Sequence, residues 1–164
     1  EIEAVVHPLG NREKGAIHFN DTAGSMARDS VTNASSVVRM ITGKNLSDYD
    51  VHVNVVGGGN IDGPSAGAAI TCAIISALTG KPLRQDIAVT GEISLSGRIK
   101  PVGGIAEKAF GAHQGGMKAI LIPKQNAPDM GSEYMHMKVI PVDTIQDILE
   151  HMLVRKKQKM KGSK

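Results

Sequence analysis

A single mixed α/β domain with antiparallel hairpins and about four helices is predicted by three observations. The chain has 164 residues, a length that suits one core. Short β-branched runs recur between Gly, Pro, Asn and Asp, and between those runs lie longer segments with apolar residues at three- and four-residue steps. The strands fall at residues 2–7, 16–19, 51–56, 87–95, 98–102, 119–122 and 138–142. The first helix covers residues 25–42, where Ala27, Val31, Ala34, Val38 and Ile41 form one stripe and Gly43 follows as a C-cap. The second starts at Pro64 and Ser65, runs to Leu78 and ends at Thr79 and Gly80. Ala68, Ala69, Cys72, Ile75 and Leu78 line one side of it, and because the rest is also largely apolar it reads as a buried helix. A third follows Gly103 and Gly104, turns Ile105, Ala109 and Ala112 to one face, and stops at Gly115 and Gly116. The fourth begins at Asp143 as cap, with Gln146 three residues on, and buries Ile145, Ile148, Leu149 and Met152. Ser96 and Gly97, between Leu95 and Arg98, read as a tight hairpin turn.

Composition excludes several classes. With 41% hydrophobic and 21% charged residues, neither a disordered nor a collagen-like chain fits. Aromatics are 2%, so Ala, Val, Ile, Leu and Met must fill the core. Cys72 is the single cysteine, which excludes an intramolecular disulfide or a cysteine zinc cluster and suits a reducing compartment. The longest apolar run, 66–78, is too short and too rich in small polar residues to span a bilayer, and no signal peptide is visible. The chain therefore reads as soluble. It starts without Met, as a piece of a longer protein would. The net charge of +3 conceals a basic tail at residues 155–164, formed by Arg155, Lys156, Lys157, Lys159, Lys161 and Lys164; the other residues carry 13 basic and 16 acidic groups. A solvated, frayed end is the simplest reading of that tail, and no basic patch interleaved with aromatics supports nucleic-acid binding.

The segment from Gly57 to Gly67 passes from a Gly-rich loop through Asp62, Gly63 and Pro64 into a helix, with Ser65 in its first turn. Proline suits the first helical position. Three readings of Ser65 stand side by side: a nucleophile beside helix N–H groups that stabilise an oxyanion, part of a phosphate cradle, or an ordinary first-turn hydroxyl. The phosphate reading lacks a neighbouring cation and places Asp62 where it would repel the ligand. A nucleophilic serine needs a proton acceptor, and the six His are scattered. A desolvated lysine can serve instead, because burial lowers its pKa. Lys108, amid Ile105, Ala106, Ala109 and Phe110, is the candidate; the alternative is a surface lysine whose stem lies along an amphipathic helix.

The runs Asp62-Gly63-Pro64-Ser65-Ala66-Gly67, Thr90-Gly91-Glu92-Ile93-Ser94-Leu95-Ser96-Gly97-Arg98, Pro101-Val102-Gly103-Gly104-Ile105-Ala106-Glu107-Lys108, His113-Gln114-Gly115-Gly116-Met117-Lys118 and Ile122-Pro123-Lys124-Gln125-Asn126 together resemble the C-terminal proteolytic domain of the ATP-dependent Lon proteases. The likeness spans nearly the whole chain and includes the 43-residue separation of Ser65 from Lys108. The Asp-Gly-Pro-Ser form is similar to the bacterial type, in particular to the shorter Lon paralogue of spore-forming bacilli.

That resemblance implies the Lon proteolytic-domain fold over residues 1–154 and a Ser–Lys dyad of Ser65, the nucleophile, and Lys108, the general base. The Thr90 hydroxyl would contact the lysine, Gly63, Pro64 and Ser65 would form the oxyanion loop, and Glu3, Asp62 and His52 would be polar neighbours of the site. Asn54 stands where many relatives carry a second histidine, and the loop at 55–61 is about a residue short. The resemblance further implies a cytoplasmic enzyme that cleaves unfolded or regulatory proteins, in a homohexameric ring, with no cofactor in this domain. ATP and Mg are expected on a separate ATPase module; no Gly-x-x-x-x-Gly-Lys-Ser/Thr occurs here. Two other functions remain open on the residues: a non-catalytic ring-assembly domain and a phosphate-binding small-molecule kinase domain.

Overall fold

The computed structural model describes residues 1–10, 14–20, 24–56, 63–130 and 137–154. The Ala27 side chain, Asp62, most of the Gly-rich loop (57–62) and the tail 155–164 lie outside that set. β1 (Ile2–Pro8), β2 (Ile17–Phe19) and β3 (Tyr49–Val55) form one sheet in the order β1-β3-β2, with β1 antiparallel and β2 parallel to β3. β4 (Ile87–Val89), β7 (Ala119–Pro123) and β8 (Lys138–Val142) form an all-parallel sheet in the order β4-β7-β8. β5 (Glu92–Ile93) and β6 (Ile99–Lys100) form the expected antiparallel hairpin around Ser96 and Gly97.

Strand alternation explains which faces are buried. In the first sheet Ile2, Ala4 and Val6 of β1 pair with Val55, Val53 and Val51, turning inward, while Glu3, Val5 and His7 face out beside Asn54, His52 and Asp50. β7 is buried on both faces: Ala119 and Leu121 join the main core, and Ile120 and Ile122 join a second cluster. A strand between two packed layers has no polar face to show, so its sequence is a continuous apolar run.

The helices are α1 (Ser25–Thr42), α2 (Gly67–Thr79), α3 (Ile105–Gln114) and α4 (Ile145–Met152). Gly43 closes α1 in the left-handed conformation, its N–H donating to Arg39 O at 2.9 Å. α2 is the buried helix its composition predicts, and the main core gathers α2 with Val31, Val37 and Val38 of α1 and Ile145, Ile148 and Leu149 of α4. α3 packs instead on the other face of β7, where Ile105 and Ala109 meet Ile120, Ile122 and Met137. Among the described residues no helix is long and apolar enough to cross a membrane.

Three sequence expectations need correction. The strand expected at 87–95 is broken at Thr90 and Gly91, and its halves belong to different sheets. Gly91 has φ +155° and a Cβ there would stand 2.5 Å from Ile99 Cγ2; only glycine lets the chain turn so close to its neighbour. The second helix begins as a 3₁₀ turn, Pro64–Ala66, before α2 proper. Ser65 O accepts from Gly91 N at 3.0 Å and Ala68 N donates to Gly91 O at 3.0 Å, so these groups are drawn out of the helical ladder. The fourth helix is capped one residue later than expected: Thr144 Oγ1 accepts from Asp147 N while the Asp147 carboxylate accepts from Thr144 N. Asp143 pairs with Arg98 at 3.5 Å.

Candidate active site

Ser65 stands at the entrance to α2, in a 3₁₀ turn where its carbonyl accepts from Gly91 N–H. Lys108 stands one turn into α3, with its N–H on Gly104 O at 3.0 Å. Both residues line one cleft of ≈ 650 Å³, whose walls include Ala69, Cys72 and Ala73 of α2, Ile87 and Thr90 of and beside β4, and Ala112 of α3. Glu1 and Arg84 are the other charged residues on that lining, and Arg84 is held by Asp86 at 2.9 Å. The lining is mostly apolar, and Lys108 is partly buried on it.

Burial is the dominant influence on Lys108 and lowers its pKa from the ordinary lysine value; the charge of Glu107 works weakly the other way. In the structure Lys108 Nζ donates to Gly103 O at 2.7 Å. Among the described residues no hydrogen bond joins it to Ser65 Oγ, and the two residues share the lining of the cleft. Burial also pushes the Cys72 thiol up to about 12. Cys72 is thus a small apolar wall of the cleft with no thiolate character.

Thr90 is buried, and its hydroxyl leans on Ser65 O at 3.5 Å while its N–H donates to Leu121 O at 3.1 Å. It joins the serine segment to β7 and makes no hydrogen bond to Lys108. The amine finds its acceptor five residues back along its own chain, which leaves Thr90 to the main chain of Ser65.

Glu3 and His52 do not line the cleft. They sit on the outward face of the first sheet, where Asn54 Nδ2 donates to Glu3 Oε2 at 3.1 Å and the His52 ring stacks on His18 with centroids 4.6 Å apart. The period of two along β1 and β3 decides this, since Ile2, Ala4, Val51 and Val53 occupy the inward face. Gly63 is described and Pro64 opens the 3₁₀ turn, whereas Asp62 lies outside the described residues.

Two asparagines each bracket a distant main-chain position, one at the end of β3 and one just before α3. Asn20 brackets Val55, accepting from its N–H at 3.2 Å and donating to its carbonyl at 3.0 Å. Asn126 does the same to Val102, accepting at 2.9 Å and donating at 3.0 Å. No local pattern marks either residue, because each partner is more than twenty positions away in the sequence.

Known proteins resemble this chain over most of its length. Residues 1–155 match the family described as "Lon protease (S16) C-terminal proteolytic domain". The chain is 41% identical over 165 residues to a Lon protease of Azospirillum brasilense, covering 94% of this chain and 20% of that protein. It is 43% identical over 130 residues to Lon protease 2 of Bacillus subtilis, covering 79% and 23%, and 37% identical over 162 residues to an archaeal Lon protease of Archaeoglobus fulgidus, covering 96% and 26%. The chain thus spans about a quarter or less of the length of these relatives.

Proposed function

The chain belongs to the Lon protease C-terminal proteolytic domain family, and on that premise we propose that it hydrolyses peptide bonds through an acyl-enzyme on Ser65 with Lys108 as general base. The observation that carries this reading is that Ser65 and Lys108, 43 residues apart in sequence, line the same apolar cleft, where burial lowers the lysine pKa.

In the proposed reaction neutral Lys108 takes the proton of Ser65 Oγ as the oxygen bonds to the scissile carbonyl carbon. The lysine ammonium then protonates the leaving amine as the C–N bond breaks. A water molecule attacks the ester, gives its proton to Lys108, and the serine oxygen leaves with that proton. For a lysine of ordinary pKa only about one molecule in a thousand is neutral near pH 7.5, a deficit of roughly 4 kcal/mol, and desolvation in the cleft offsets part of it. Main-chain N–H groups beside Ser65 form the oxyanion hole, at about 2.7–4 kcal/mol per donor. The route uses no metal or organic cofactor.

We further propose that residues 1–154 are the proteolytic unit and 155–164 a basic tail. In the full-length protein the unit acts in a cytoplasmic homohexameric ring on unfolded or regulatory proteins, which an ATP- and Mg-dependent module delivers.

The direct test is intact-mass analysis after incubation with a serine-reactive β-lactone. One adduct that maps to Ser65 and is lost in both Ser65→Ala and Lys108→Ala is the expected outcome. An adduct that persists in Lys108→Ala would remove the lysine from the reaction, and no adduct in the full-length protein would favour a ring-assembly role.

A further inference from the structure

Asn126 lies outside the cleft, in the 3₁₀ segment Lys124–Asp129 that follows β7. It is one of four buried polar side chains among the described residues, 5% exposed. Its amide is fully used: Oδ1 accepts from Val102 N at 2.9 Å, and Nδ2 donates to Val102 O at 3.0 Å and to Asp129 Oδ2 at 2.6 Å. The double contact imitates one rung of strand pairing. A buried amide is costly unless satisfied, and when satisfied it specifies one geometry where an apolar side chain would only fill volume.

The geometry it specifies is that of the lysine's acceptor. Val102 adjoins Gly103, whose carbonyl receives Lys108 Nζ at 2.7 Å. Only Ile105 and Ala109 of α3 are buried, so packing alone holds this helix lightly. We propose that Asn126 is a positioning residue: by clamping Val102 to the segment after β7 it fixes the Gly103 carbonyl, and through it the place of the Lys108 amine in the cleft that Ser65 also lines. The inference rests on the dyad reading above.

The test uses the full-length protein with Asn126→Ala and Asn126→Asp, beside Ser65→Ala and Lys108→Ala. Peptide cleavage is followed from about pH 6 to 10. In a Ser65→Ala background, the pH dependence of Lys108 acetylation by acetic anhydride is read by peptide mass spectrometry. Asn126→Ala should lower kcat about tenfold or more with KM close to that of the parent, since a misplaced catalytic group loses rate and not binding. The Lys108 labelling midpoint should rise by about one pH unit as the amine swings toward water. Asn126→Asp keeps the acceptor for the Val102 N–H but sets a carboxylate oxygen against Val102 O and the Asp129 carboxylate, so it should lose at least as much as Asn126→Ala. A proportional loss of rate at every pH with an unmoved labelling midpoint overturns the proposal. So does unfolding of both variants, because the clamp would then serve the fold as a whole. Activity surviving in Lys108→Ala would instead remove the dyad, and the labelling midpoint would still report on the clamp.

Discussion

Ser65 and Lys108 reach one cleft from helices with unequal holds on the core. α2 buries nine of its thirteen residues, between α1, the first sheet and α4. α3 buries two of its ten, against one face of β7. The serine sits in the turn that leads into the deeply buried helix, and the lysine on the helix with fewer buried residues, which is expected to open at lower cost. A nucleophile gains from a rigid mount because its attack geometry is narrow. A base that must shed a proton and take up another has use for a lighter attachment, provided a few specific bonds set its position.

The largest effect expected is at the two reacting groups. Ser65→Ala and Lys108→Arg should each lower peptide cleavage at least about a thousandfold, Arg failing because it stays protonated. Measurable turnover by Lys108→Arg in a fluorogenic peptide assay would end the comparison, since the lighter helix would then carry no base. In the parent, kcat/KM should rise with pH through a midpoint below the ordinary lysine value, because burial lowers the Lys108 pKa and activity needs the neutral amine. A flat profile would count against it.

Cavity variants sharpen the contrast. Ile74→Ala in α2 and Ile105→Ala in α3 both remove a buried side chain, each at about 2–4 kcal/mol. The first should lower the global unfolding midpoint, read by denaturant titration. The second should loosen α3 in hydrogen exchange and reduce turnover beyond its effect on global stability. Equal protection loss in α2 and α3 for both variants would show that the two helices form one cooperative unit.

Smaller effects test the joints. Gly91→Ala sets a Cβ against Ile99 Cγ2 at a positive φ and should destabilise by about 1–3 kcal/mol, with turnover falling because Gly91 holds the Ser65 carbonyl. Thr144→Ala, remote from the cleft, should cost about 1 kcal/mol through the lost cap of α4 and leave kcat unchanged. A drop in kcat there would mean that α4 communicates with the site.

Much of this was legible from residue order. The stripe of α1 from Val31 to Ile41, the all-round apolar α2, Gly43 as a cap and the hairpin at Ser96 and Gly97 follow from local rules of period and turn chemistry, and the structure bears them out. The break at Gly91 was not legible, since its cause is the Ser65 segment pairing across 26 residues of sequence. Nor was the outward turn of Glu3 and His52, which strand register decides, nor the grip of Asn126 on Val102.

The sequence by itself determined the family, the α/β class, the order of the main elements and the two residues proposed for the chemistry. These depend on spacing along the chain, which a one-dimensional pattern carries in full. Tertiary structure alone decided that Ser65 and Lys108 share a cleft, that the lysine rests on Gly103 O, and that Thr90 turns to the serine's main chain. Thr90 lies 25 positions from Ser65 and Lys108 lies 43, so those two relations exist only once the layers around β7 close; the Gly103 bond spans five residues, but a lysine adopts that one rotamer among several only when its surroundings are in place.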